Sequence, residues 1–181
     1  MNPTTSLVFN DLPRFFDSLC KASLTDDDEG DVIRGEIDDF VHIASGDAYS
    51  ESVKRPVVAL VEIDFVDRLS SSDGTIRLAF SECNDCTYPG MGGWNEKIEY
   101  YIGKSIEPND GALILTIPSK ILCDAISGVI DPCASFLKGE YRIASIPPRG
   151  NQIARALGPF WEILTYHYHR GFRQSNGAFE K

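Results

Sequence analysis

The chain has 181 residues, 43% hydrophobic and 24% charged, a balance that excludes global disorder and fits one domain spanning residues 1–181. Its 27 acids against 17 bases leave a net charge of −10, so clustered phosphate contacts have the wrong sign and nucleic acid is not the expected partner. No apolar run approaches the ~20 residues of a membrane helix, no basic and apolar leader opens the sequence, and five cysteines are an odd number. These features point to a cytoplasmic chain with reduced thiols, no membrane association and no disulfide framework.

In chain order, Asn10 or Asp11 can cap a first helix, with Pro13 in its opening turn. Leu12, Phe15, Phe16, Leu19 and Cys20 then recur at helical spacing and predict an amphipathic helix to about Ala22. Thr25–Asp31 carries four adjacent acids and Gly30, and reads as a solvated loop. Val32–Ile37 and Phe40–Ala44 are short strand candidates. Val57–Val66 and Thr75–Phe80 flank a Ser/Asp/Gly turn and predict a hairpin. On its first strand Glu62 and Asp64 alternate with Val61, Ile63 and Phe65, so one face is wet.

Cys83–Gly93 is rich in Asn, Asp, Pro and Gly and reads as loop, followed by a strand over Glu96–Ile102. Pro108–Gly111 is a turn, Ala112–Ile117 a buried strand, and Ser119–Ser127 a helix stopped by Gly128. Tyr141–Ile146 is a further strand, and Asn151–Leu157 a short helix closed by Gly158-Pro159. Trp161–Arg170 is aromatic and β-branched and is read as a strand, with a helix starting at Pro159 as its alternative. The expected fold is α+β, a largely antiparallel sheet with an N-terminal amphipathic helix and one or two further short helices.

Two groups of residues carry metal or thiol chemistry as candidates. Cys83 and Cys86 have the C-x-x-C spacing of a zinc site or a dithiol, but no helix start follows and a second ligand pair is remote. His167 and His169 share a face if they lie on a strand; on a helix they diverge by about 200°. No cofactor is therefore expected, zinc being the one weak candidate. Nucleophile and phosphate-loop motifs are absent from the sequence.

The strongest signal is charge asymmetry. Asp11–Glu51 holds 12 acids against 3 bases, and residues 1–90 hold 18 against 7. A field of one sign steers association with an oppositely charged partner. The leading expectation is a non-enzymatic acidic binding protein whose partner is a basic protein, such as a toxin domain. Small acidic immunity proteins and antitoxins that neutralise bacterial nuclease toxins are the analogy, one of charge and size with no residue motif behind it. Asp26, Asp27, Asp28, Glu29, Asp31, Asp38 and Asp39 form its docking rim, with Tyr49, Tyr88 and Trp94 as aromatic anchors. The alternatives are a zinc-dependent or thiol enzyme built on Cys83/Cys86 or His167/His169, and a structural or assembly subunit. The binding protein is expected as a monomer or small homo-oligomer.

Overall fold

The computed structural model describes residues 6–23, 25–45, 57–67, 75–82, 87–88, 92–93, 97–102, 111–147 and 150–173. A 3-10 turn, Phe9–Asp11, leads into α1 (Leu12–Ala22), followed by α2 (Asp28–Ser45). Strands β1 (Val57–Phe65), β2 (Thr75–Glu82), β3 (Thr87–Tyr88), β4 (Gly92–Gly93), β5 (Lys97–Ile102) and β6 (Ala112–Ile117) come next. The chain continues through α3 (Ser119–Ile126), α4 (Pro132–Leu137), β7 (Arg142–Ile146), α5 (Gly150–Arg155) and α6 (Leu157–His167), which runs into a π turn over Tyr168–Phe172.

The fold is α+β, as the composition and patterning indicate. Its main sheet has the order β5-β2-β1-β6-β7. All its pairings are antiparallel except β1 with β6, so the sheet is largely antiparallel, as expected, without being purely so. β3 and β4 form a separate two-stranded ribbon inside the segment read as loop.

Period-two alternation builds the core face. Val61 sits between Leu78 and Leu113, and Ile63 between Ile76 and Leu115, and all six are buried. Glu62, Asp64, Ile114 and Thr116 alternate onto the other face and are half-buried. α1, α2 and α5 lie against the sheet, and α6 packs on α2 with Phe160 reaching β2. Phe40 of α2, Phe80 of β2 and Phe160 of α6 meet there, with ring centroids 4.7 Å apart for Phe40–Phe80 and 6.0 Å for Phe80–Phe160. Edge-to-face pairs add about 0.5–1.5 kcal/mol each beyond the area they bury.

Three local expectations are corrected. Val32–Ile37 and Phe40–Ala44 are not strands but consecutive parts of α2, in which Ile33, Ile37, Phe40, Val41 and Ala44 are the buried stripe. Thr25–Asp31 is a loop only as far as Asp27, because carboxylates that repel in a loop are favoured at a helix N-terminus, where backbone N–H groups point outward. Asp27 is the cap: its Oδ1 accepts the Gly30 N–H at 2.8 Å, and that bond with the Thr25 hydroxyl holds its carboxyl below the usual range. Asp11, by contrast, caps nothing in α1 and pairs with Arg14 instead.

The third correction is Trp161–Arg170, which is helix and π turn rather than strand. Phe160, Trp161, Ile163, Leu164, His167 and Tyr168 are all buried at helical spacing, so packing overrides β propensity. Gly158-Pro159 does not stop the element: Pro159 lies in its first turn, where a missing N–H costs little. α4 is a helix the sequence pattern does not announce, since six residues give no period; Asp131 caps it by accepting the Cys133 N–H.

Candidate functional site

The acidic rim divides once it is placed on α2. Asp26 and Asp28 are exposed. Asp31 is exposed and bonds Arg34, whose guanidinium also donates to the carbonyls of Ser23 (3.2 Å) and Thr25 (2.6 Å) and so ties the loop to the helix. Asp39 is exposed two turns further along, and Asp38 is half-buried. Asp27 is spent as the cap, and Glu29 turns inward. Tyr49, Trp94, Cys83 and Cys86 lie outside the described residues, and Tyr88 lies in β3.

Around the middle of α2 the negative charge is crowded. Burial raises the Glu36 carboxyl, and Asp39 and Glu162 raise it further. Glu162 is exposed on α6, which packs beside α2. Negative charge therefore continues from the start of α2 onto the α2–α6 surface.

Glu29 takes part in an arrangement that the charge reading does not anticipate. Its Oε1 lies 2.8 Å from His167 Nδ1, and His167 Nε2 lies 2.9 Å from the Ser18 hydroxyl. Three helices meet at this imidazole, which is 2% exposed. Burial pulls its pKa below the usual 6.5 against the opposing pull of Glu29, so the ring is neutral at pH 7. Phe15 and Phe172 enclose it: the Phe15 ring is 5.5 Å from the imidazole and 5.4 Å from Phe172. Arg14 lies over the outer face of Phe172, 5.3 Å from the ring centre.

The π turn completes this enclosure. A Cβ at Gly171 would fall 2.2 Å from Glu29 Oε1 and 2.9 Å from the imidazole, so only glycine lets the backbone lie against the pair. Serine, imidazole and carboxylate here stand in the order of a catalytic triad. Ser18, however, lies mid-way along α1, where the helix's own backbone N–H groups are closed in helical bonds and do not serve as oxyanion donors. The group acts as a buried polar tie. A helical reading of residues 157–168 is the signal that finds it, because it aligns His167 with the apolar positions Phe160, Ile163 and Leu164.

His169 points elsewhere. It is exposed, close to Gly128, with a pKa lowered by burial and by Arg173. The two histidines therefore do not form the pair that a strand would create. Among the described residues no group of three or more His, Cys, Asp or Glu is placed to hold a metal ion, and no helix is long and apolar enough to cross a membrane.

No protein-family model matches the chain, and no curated protein matches it. Among solved structures it is similar to a conserved hypothetical protein from Thermus thermophilus, described as a candidate sterol carrier protein. The identity is 9%, the TM-score 0.41, and the match covers 84% of this chain and 85% of the other. A likeness of that size assigns no function.

Proposed function

We propose that the chain is a non-enzymatic acidic binding protein that docks a basic protein through the start and outer face of α2. The observation that carries this reading is the joint exposure of Asp26, just before α2, and of Asp28, Asp31 and Asp39 along one side of it. The docking rim is thus smaller than the acidic stretch of the sequence, since Asp27 and Glu29 serve the fold. An inhibitor of a basic enzyme, for which immunity proteins and antitoxins are the analogy, is the form that charge and size favour. Cytoplasmic residence belongs to this proposal and is supported by Cys123 and Cys133 remaining outside any disulfide among the described residues.

The test is kinetic. Association of a small cationic probe protein is followed by stopped-flow fluorescence between 20 and 300 mM salt, a range over which the Debye screening length falls from about 20 Å to about 6 Å. Wild type is compared with a variant carrying Asp26→Asn, Asp28→Asn, Asp31→Asn and Asp39→Asn. Steering by the rim predicts a rate at least about tenfold higher for wild type at low salt, converging at high salt. Equal rates at low salt would leave the charge as a solubility feature and end this reading. One zinc per purified chain, lost on Cys83→Ser, would replace it with the metal-enzyme alternative.

A further inference from the structure

We infer that the partner presents a basic amphipathic helix that lies along the outer face of α2 and makes its closest approach at Gly35. This rests on the proposal that the acidic face of α2 docks a basic protein, and adds what shape the partner brings. Asp28, Asp31, Val32, Gly35, Asp39, His42 and Ile43 are the exposed positions of α2 between Asp28 and Ala44. They recur at i, i+3, i+4, i+7, i+11, i+14 and i+15, so they form one straight stripe about 22 Å long.

The stripe is not simply a charged, solvated helix surface. Val32 and Ile43 are each 41% exposed, one near either end. Between them Gly35 occupies the interior of an 18-residue helix, where glycine is a poor helix former. A Cβ built there would meet nothing within 4 Å, unlike those at Gly30 and Gly171, which would strike neighbouring atoms. No packing within the described structure explains the missing side chain at position 35. Absence of a Cβ at an exposed helix position lets another backbone come close. Two apolar knobs on either side of a notch, flanked by Asp28, Asp31 and Asp39, match a ridge of small and apolar residues bordered by Lys or Arg.

A helix is the occupant this geometry favours. The backbone bonds of α2 are closed internally, so it offers no edge to a strand, and an extended occupant would leave its own N–H and C=O groups unpaired at the contact. A helix of about four turns satisfies its backbone itself and covers the stripe from Val32 to Ile43.

The probe is a fluorescein-labelled 18-residue Lys/Leu/Ala peptide patterned as an amphipathic helix, beside a scrambled peptide of equal composition with no helical face. Anisotropy titrations at 50 mM salt are expected to show the patterned peptide binding about tenfold tighter, with helical circular dichroism growing on binding. Gly35→Leu fills the notch and should weaken the patterned peptide about tenfold while leaving the scrambled one unchanged; Ile43→Ser should do likewise at the far end. If wild type binds both peptides equally, or Gly35→Leu and Ile43→Ser both bind the patterned peptide as wild type does, the helix inference is overturned and the acidic-docking reading stands. If neither peptide binds wild type, both are overturned.

Discussion

Replacing glycine by alanine at two positions should move stability in opposite directions. At Gly35 the added methyl enters open space on an exposed helix face, so the change reduces the freedom of the unfolded chain without a clash. Helix propensity then predicts a gain of about 0.5–1 kcal/mol. At Gly150, the first residue of α5, the new Cβ would lie 2.6 Å from the Ala112 carbonyl oxygen and 2.8 and 2.9 Å from Ser145 backbone atoms. Those atoms belong to paired positions at one end of β6 and β7, and they cannot yield without spreading the sheet or lifting the helix. Overpacking of that kind costs about 1–3 kcal/mol. For a chain of this length the expected shifts are roughly +1 to +4 °C for Gly35→Ala and −2 to −12 °C for Gly150→Ala. Calorimetry and urea unfolding followed by circular dichroism measure both. A lower melting temperature for Gly35→Ala would mean that the outer face of α2 is covered in the free chain. An unchanged one for Gly150→Ala would mean that α5 does not approach the sheet as closely as described.

Three further outcomes follow from the interior. His167 has its folded pKa lowered, so the unfolded chain binds more protons as pH falls; its contribution is full above about 6.5 and is lost as pH drops below that value. The urea midpoint of wild type should therefore fall more between pH 7.5 and 5.5 than that of His167→Gln, and parallel curves for the two would contradict the assignment. Ser18→Ala leaves His167 Nε2 buried without its partner and should cost about 1–3 kcal/mol in urea unfolding, whereas a neutral effect would place water or another group there. Burial pushes the Cys123 thiol up to about 12, with Asp124 adding to it, while Cys133 is exposed. Mapping a maleimide label by mass spectrometry at pH 8 should find Cys133 modified and Cys123 protected until denaturant is added; equal labelling would refute the packing of α3.

The strands were legible because their chemistry is local. Alternation through Val61, Ile63 and Phe65 states which face is buried, and the turn before Thr75 states the antiparallel return. α2 escaped for the opposite reason. Windows of five or six residues around Val32 and Phe40 look β-branched and apolar, and only the full run from Ile33 to Ala44 reveals the helical period. The acids before it read as mutual repulsion, although a helix N-terminus favours them. α6 was obscured by aromatic residues whose strand preference yields to packing against α2 and α3. The docking rim was visible as composition, but which carboxylates remain available depends on the Asp27 cap and on Glu29 finding His167. That last contact joins residues 138 apart in sequence, and no local pattern encodes it.

The same long-range tie orders events on the ribosome. Phe15, Phe16, Ile33 and Phe40 are all fully buried in the finished protein, and the helix that shelters Phe40 contributes Phe160. At about 5–20 residues per second, the roughly 120 residues between those two phenylalanines take on the order of 6–24 s to emerge. Through that interval β1 and β2 can cover part of α2, as Phe80 does for Phe40, but the side of α2 that α6 takes in the finished protein stays open. A chain ending before Leu157 would hold every strand of the sheet and still leave Phe40 without Phe160, an apolar surface open on the α6 side of α2.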